Sequence, residues 1–264
     1  MAADREAYYG APKFVSVLVE TLLSSSYGRM RAQAIDPDRA FLGMPPAGEV
    51  DGKSPRMFEP KPLSLESAPL DTSYISVVDR HGNAFSATPS DSVMRKSPIV
   101  PGTGLSLSPR GIQSRLDPAH PASVAPSKRP RLTPNPAIAI KRGEYVMPFG
   151  TPGGDLQVQA MSQVFLNMAV FGMDPQYAVE QSRVYSYSFP DSFAPHAYYP
   201  GVLKIEDGLP EGTTAALAKK GHKLEPWPAN EWPRTGVCIT IDDRKRGIKL
   251  GAADCRRTSY ALGS

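Results

Sequence analysis

The amino-acid sequence predicts an α+β fold, and three observations support that prediction. Residues 73–88 and 137–149 each show the pattern of a strand, a turn and a returning strand. Two amphipathic helices are predicted between residues 156 and 183, and further strands follow them. Strands, then helices, then strands again are typical of a domain in which sheets and helices form separate packed layers.

The N-terminal region has a helical pattern followed by a proline-rich stretch. Apolar residues recur at helical spacing within residues 5–35, and Gly10-Ala11-Pro12 interrupts the segment early. Residues 37–71 carry prolines throughout and show little periodicity, which predicts a flexible linker.

The first hairpin begins directly after this linker. Tyr74, Ser76 and Val78 would point to one side of a strand, and the intervening residues to the other. His81-Gly82-Asn83 predicts a turn, and residues 84–88 the returning strand. Thr72 therefore stands at the start of a strand, just after a flexible segment.

The remaining elements follow from periodicity, caps and turn residues. They are a long Ser-, Pro- and Gly-rich loop at 89–135, a hairpin at 137–149, a sharp turn at 150–154, a helix at 156–171, a helix from Asp174-Pro175 to about 183, a strand at 202–205, a helix at 210–220 closed by Gly221, and a terminal strand pair at 236–241 and 247–251.

Composition excludes several classes of function. The net charge of +4 comes from dispersed basic residues, which argues against nucleic acid as a partner. No apolar run reaches membrane-spanning length, so no membrane partner is expected. Cys238 and Cys255 provide neither a disulfide framework nor zinc spacing, and no cofactor is predicted. The first residues lack the layout of a signal peptide, which predicts a cytoplasmic location.

Thr72 is a candidate nucleophile if the chain is cleaved before it. Cleavage of the Asp71–Thr72 bond would give Thr72 a free α-amino group with a pKa of about 8, which can accept the proton of its own hydroxyl. Threonine is also common at strand starts, so local sequence alone favours a structural role.

Two sequence blocks favour a catalytic role for Thr72 over a structural one. Residues 72–79, Thr-Ser-Tyr-Ile-Ser-Val-Val-Asp, precede a Gly-Asn pair, and Lys128-Arg129-Pro130 precedes Gly150-Thr151-Pro152-Gly153-Gly154. In their order and spacing these blocks resemble the small subunit of the gamma-glutamyltransferase family. Members of that family are self-processing N-terminal-nucleophile hydrolases. The resemblance implies a four-layer αββα sandwich, in this chain incomplete, and cleavage before Thr72.

The resemblance also divides the chain into three parts. Residues 1–36 would be the helical tail of a large subunit, residues 37–71 the linker that ends at the cleavage site, and residues 72–264 the small-subunit-like catalytic region. The partners expected are a small-molecule amide substrate and the preceding large-subunit portion, from the same precursor or a separate chain.

Several residues match functional positions of that family. Thr72 would be the nucleophile and Ser90 its hydroxyl partner, while the backbone N–H groups of Gly153 and Gly154 would face the oxyanion. The acyl group would meet four further residues: Ser92, Arg110, Gln113 and Thr133.

The acyl-binding positions depart from the family pattern. Gln113 stands where an acidic residue usually binds the substrate α-ammonium, Arg110 is near it, and Leu132-Thr133 replaces a Ser-Ser pair. A cationic loop favours a carboxylate over an ammonium. The sequence therefore predicts acyl transfer from a gamma-glutamyl or related amide. One alternative is an amidohydrolase for a small acidic acyl group without an α-amine, and a second is an inactive fragment or a subunit that needs a partner chain.

Overall fold

The protein is described by a computed structural model that covers residues 2–52, 55, 72–91, 97–227 and 235–263. The helices are α1 (Ala2–Tyr8), α2 (Val19–Leu22), α3 (Ser25–Gln33), α4 (Gln157–Ala169), α5 (Pro175–Glu180) and α6 (Thr213–Lys219). The strands are β1 (Ile75–Val78), β2 (Ala84–Ala87), β3 (Ala137–Lys141), β4 (Tyr145–Gly150), β5 (Val184–Ser186), β6 (Val202–Glu206), β7 (Lys223–Trp227), β8 (Cys238–Asp243) and β9 (Ile248–Ala253). Short 3-10 helices occur at Pro109–Gln113 and Gly154–Leu156.

The strands form a hairpin and two larger sheets. β1 and β2 pair with each other, and both predicted hairpins are confirmed. The central sheet is antiparallel in the order β3-β4-β8-β9, so the terminal strand pair lies beside the second hairpin. A three-stranded sheet, β5-β6-β7, pairs β6 and β7 in parallel. The mixed fold of strands and helices is as expected from the sequence.

The two faces of the central sheet have different neighbours, because side chains alternate along a strand. Met147 and Phe149 of β4 belong to the main apolar core, and the Phe149 ring stacks on Phe165 of α4 with 5.9 Å between centroids. Gly150, on the opposite side, faces the ring of Tyr74 just before β1. The hairpin β1–β2 and the helices therefore cover opposite faces.

The core lies between the central sheet and helices α4 and α5. Its buried side chains are Met147, Phe149, Leu156, Ala160, Met161, Val164, Ala178, Val179, Tyr185, Val237, Ile239, Ile241 and Ala252. Met161 and Val164 lie on the buried face of α4, in keeping with the amphipathic helix predicted for residues 156–171. Asp174 caps α5, since its carboxylate accepts a hydrogen bond from the Gln176 N–H.

Some boundaries were predicted wrongly. α5 ends at Glu180, before the expected end at about residue 183, because the buried Arg183 guanidinium donates to the Val179 carbonyl and forms an ion pair with Asp254. Residues 5–35 form short separate helices, and Leu23 lies largely in solvent. β5 and β7 were not anticipated, because β5 has only three residues and β7 contains Pro226. Most of the predicted linker, 53–54 and 56–71, lies outside the described residues.

None of the helices in the described ranges combines the length and the apolar character needed to cross a membrane.

Gly150 is a point of close approach between the hairpin and the central sheet, because a Cβ there would lie 2.3 Å from a Tyr74 ring carbon. We expect Gly150→Ala to lower the free energy of unfolding by about 1–3 kcal/mol through overpacking. Gly28→Ala is the matched control, since a Cβ at Gly28 in α3 meets nothing within 4 Å and alanine favours a helix. Urea unfolding measures both, and equal losses of stability would contradict the close contact.

Candidate active site

Thr72 and Ser90 form a close hydroxyl pair beside the hairpin. The Thr72 Oγ1 atom lies 2.6 Å from the Ser90 Oγ atom, and Thr72 is only 6% exposed. The N–H of Ser73 donates to the Pro89 carbonyl at 2.9 Å, which joins the chain before β1 to the chain after β2. The hairpin thus brings together two of the residues expected to act in catalysis.

Tyr74 connects this pair to the central sheet. Its ring packs on Gly150 at the end of β4, and its hydroxyl lies 2.8 Å from the Ser86 Oγ atom. Burial raises the pKa of Tyr74 to about 12, so the phenol remains neutral at physiological pH. The start of β1 is therefore fixed beside the strand from which the glycine turn leaves the sheet.

The glycine turn has a backbone that only glycine adopts readily. Gly153 has φ 132° and Gly154 has φ 56°, and both values lie in the region that penalises a Cβ. Thr151 anchors the turn, because its Oγ1 atom accepts from the Gly236 N–H at 2.7 Å and donates to the Pro152 carbonyl at 2.8 Å. The turn leads through Gly154–Leu156 into α4, and the first N–H groups of a helix favour an anion.

Arg110 lies directly behind Ser90. Its Nε atom donates to the Ser90 carbonyl at 2.7 Å, and its Nη2 atom donates to both the Ser90 carbonyl and the Ser90 Oγ. The guanidinium also stacks over the Phe193 ring, and burial lowers the pKa of Arg110 although Asp91 opposes that shift. This buried cation is one hydrogen bond from Ser90 and two from Thr72, so it favours negative charge on the Thr72 oxygen.

The other expected acyl-binding residues are less clearly connected to Thr72. Gln113 is completely buried, yet its Oε1 and Nε2 atoms have no hydrogen-bond partner in the described structure. Thr133 Oγ1 is likewise buried without a partner, next to the exposed Leu132. Ser92 lies outside the described residues. Substrate-binding roles for Ser92, Arg110, Gln113 and Thr133 remain predictions.

Sequence reasoning missed a charged cluster that joins α1 to the glycine turn. Glu6 of α1 is buried and accepts from Arg115 at 2.6 Å and from Arg131 at 2.7 Å. Burial opposes ionisation of Glu6, but a hydrogen bond from His120 and the surrounding arginines keep its pKa well below the usual range. Arg5 contacts Asp155, which directly follows the glycine pair. The sequence hints at this cluster through the acidic Asp155 after Gly153-Gly154, but its partner Arg5 lies 150 positions away.

His196 is a loop residue. Its Nδ1 atom lies 2.9 Å from the Asp191 carbonyl, and burial lowers its pKa. Within the described ranges, no group of three or more His, Cys, Asp or Glu residues could hold a metal ion.

The fold and the site together define a mixed helix-and-strand protein in which a partly buried hydroxyl pair and a glycine turn lie on neighbouring elements. The family model for gamma-glutamyltranspeptidase matches residues 1–264, which is the entire chain. The chain therefore belongs to the gamma-glutamyltranspeptidase family.

Individual relatives agree with this assignment. The chain is 29% identical to the glutathione hydrolase proenzyme of Bacillus subtilis, with 99% of this chain and 42% of that protein aligned. It is 27% identical to the acylase ACY 1 proenzyme of Pseudomonas sp. strain SE83, over 96% of this chain and 40% of that protein. A solved structure described as LmbA2991HD superposes with a TM-score of 0.87 at 34% identity, covering 100% of this chain and 46% of the other. The chain thus spans less than half the length of these relatives.

Gln113 provides a test of the site's unfilled hydrogen-bonding capacity. We expect Gln113→Met to raise the free energy of unfolding by about 1 kcal/mol, because it removes a buried polar group without a partner. The control is Gln157→Met. The Gln157 Nε2 atom also lacks a partner in the described structure, but its Oε1 accepts from the Asn135 N–H at 3.0 Å, and loss of that bond should destabilise by about 1 kcal/mol. Denaturant midpoints measure both changes, and a destabilised Gln113→Met would mean that the amide has a partner.

Proposed function

We propose that this chain forms the catalytic part of an N-terminal-nucleophile acyl-transfer enzyme that cleaves a gamma-glutamyl or related amide of the glutathione type. The observation that carries the proposal is the pair formed by the buried Thr72 and the partly buried Ser90, with 2.6 Å between the hydroxyl oxygens, in a chain that belongs to the gamma-glutamyltranspeptidase family. The glutathione hydrolase name of one relative supports the substrate class.

The proposed reaction begins with hydrolysis of the Asp71–Thr72 bond, which consumes one water and frees the α-amine of Thr72. That amine accepts the proton from Oγ1 as the oxygen attacks the amide carbonyl of the substrate. Negative charge then develops on the carbonyl oxygen, where the N–H groups of Gly153 and Gly154 would stabilise it. Collapse breaks the C–N bond, the leaving amine takes the proton, and an ester on Thr72 remains. Water or an acceptor amine releases the acyl group and returns the proton to Thr72.

Ser90 and Arg110 would assist the attack of Thr72 Oγ1 on the substrate carbonyl. Arg110 donates to the Ser90 Oγ atom, and the Ser90 hydroxyl can in turn donate its proton to Thr72 Oγ1 at 2.6 Å. A hydrogen bond from a hydroxyl that is itself bound to a cation stabilises the developing alkoxide.

The preceding part of a longer precursor is the partner that we propose for this chain. The chain spans 42% of the Bacillus subtilis proenzyme, and the outward face of the hairpin is apolar. Three neighbouring apolar side chains on this face are exposed: Ile75 by 51%, Val77 by 45% and Phe85 by 56%. An exposed apolar patch of this kind is unusual on a surface that no partner covers. A covering layer from the large-subunit portion would complete the expected four-layer αββα sandwich.

A second candidate substrate is an acidic acyl group without an α-amine. The neutral, buried Gln113 in place of an acid favours it, as does the acylase name of one relative. Arg110 supports this candidate less, because Ser90 already occupies its guanidinium. The ratio of kcat/KM for gamma-glutamyl anilide to that for glutaryl anilide separates the two candidates. If the chain alone turns over neither substrate, and turnover appears once the large-subunit portion is supplied, the chain is a subunit that needs its partner.

Cleavage before Thr72 is the most direct test of the proposed function. We expect the purified protein to separate into pieces of 71 and 193 residues (264 − 71 = 193), while Thr72→Ala stays intact because the attacking hydroxyl is absent. Thr72→Ser, which keeps the hydroxyl, is the matched control and should still cleave. Intact-mass measurement and N-terminal sequencing check the result, and a mature N-terminus at any other residue refutes the assignment.

The glycine turn gives a second test. We expect Gly154→Val to lower kcat by about 10²-fold or more, as the loss of an oxyanion donor does elsewhere, with a smaller effect on KM. Gly172→Val is the control, because Gly172 has a similar φ of 66° and a Cβ there meets nothing within 4 Å. Both variants share the backbone strain, so an equal loss of turnover in the two would rule out an oxyanion role for Gly154.

A further inference from the structure

A carboxylate lies immediately next to the proposed oxyanion site. Asp155 follows Gly154, at the start of the 3-10 turn that leads into α4. An anion at this position offsets the positive potential of the helix N-terminus, on which stabilisation of an oxyanion depends. A site that binds negative charge therefore requires this carboxylate to be neutralised and turned away.

Asp155 is turned away by its hydrogen bonds. Its Oδ2 atom accepts from the Ser192 N–H at 2.6 Å, and its Oδ1 atom accepts from the Ser192 Oγ at 2.8 Å. Ser192 is 1% exposed, so this contact is inside the protein. The carboxylate therefore points towards the 189–193 loop, where its charge still needs a cation.

Arg5 of α1 supplies that cation. Its Nη1 atom contacts Asp155 Oδ1, its Nη2 atom donates to the Pro190 carbonyl at 3.3 Å, and its guanidinium lies over the Phe189 ring. Burial disfavours the charge on Arg5, but Asp155 and Glu6 outweigh burial and raise its pKa. Arg5 therefore remains charged across the whole physiological range.

The two carboxylates of the cluster depend on Arg5 to different degrees. Glu6 also accepts from Arg115 and Arg131, so it keeps two cations when Arg5 is removed. In the described part of the chain, Arg5 is the cation in contact with Asp155. Arg131 also attracts Asp155, without a direct contact. Loss of Arg5 therefore removes the direct ion pair from the carboxylate beside the glycine turn.

We propose that Arg5 is a positioning residue for the catalytic turn: it neutralises Asp155 and thereby keeps the Gly153–Gly154 N–H groups available for an oxyanion. The part of this inference that concerns the oxyanion rests on the proposed function. It places a working part of the site in α1, on the opposite side of the proposed cleavage point from Thr72. The piece that carries α1 must then stay bound after cleavage for the enzyme to turn over.

The test compares the unmodified chain with Arg5→Met, Asp155→Asn and the double variant, together with the large-subunit portion if turnover needs it. Arg115→Met is the matched control, because Arg115 contacts Glu6 and does not contact Asp155. Two quantities are measured: kcat and KM for gamma-glutamyl p-nitroanilide, and hydrogen exchange of the Leu156 amide, which donates to the Gly153 carbonyl at 3.0 Å.

We expect Arg5→Met to lower kcat about tenfold or more, to leave KM within threefold, and to speed exchange at Leu156 about tenfold. The double variant should restore all three values to within threefold, because it removes the uncompensated carboxylate. Arg115→Met should lower stability without changing kcat or the exchange at Leu156.

The inference is overturned if the double variant is as impaired as Arg5→Met, or if Arg115→Met has the same effects as Arg5→Met. If Arg5→Met does not fold, the double variant decides: a folded protein with slow exchange at Leu156 supports the inference, and an unfolded one overturns it. A preparation that never cleaves the anilide counts against the proposed function, and the exchange measurements then decide the role of Arg5 by themselves.

Discussion

The contact between the Tyr74 ring and the backbone of Gly150 is the constraint on which the site depends. It joins the hairpin to the central sheet at the point where β4 ends and the glycine turn begins. The residues before β1 and the turn after β4 are thereby set by one packed contact between rigid elements. A side chain at position 150 would overpack this contact, so the absence of a Cβ sets how closely the two layers approach each other.

Electrostatics adds a second layer of organisation around this contact. Two arginines lie behind the site: the buried Arg110 donates to Ser90, and the partly buried Arg5 forms an ion pair with Asp155. Ser90 would touch the reacting Thr72 hydroxyl, whereas Asp155 lies beside the glycine turn and points towards Ser192. In both cases burial reduces screening by water, so the charge acts on the neighbouring group more strongly than it would at the surface.

Much of the fold could be predicted from the sequence, because its strong signals are local. The alternation at 74–79, the Asp174-Pro175 cap and the apolar stripe of α4 each act over a few residues, and each is confirmed. Ordered motifs identified Thr72, Ser90 and the glycine pair as candidate site residues. The partners of Asp155 and Ser90 could not be found in this way, because Arg5 and Arg110 are brought to them by tertiary folding and leave no spacing pattern. The end of α5 was missed for the same reason, since Asp254 fixes Arg183 from the far end of the chain.

The exposed hairpin face has a consequence for how such a protein is made. β3 is an edge strand of the central sheet, and its Ile138 and Ile140 are exposed as well as the apolar residues of the hairpin. Edges and apolar faces of this kind promote self-association when nothing covers them. A covering segment on the same polypeptide is present at an effective concentration on the order of millimolar from the moment of synthesis. Synthesis as one precursor would therefore protect this face from intermolecular pairing before the chain is cleaved. Two separately made chains would reach the same local concentration only at high expression.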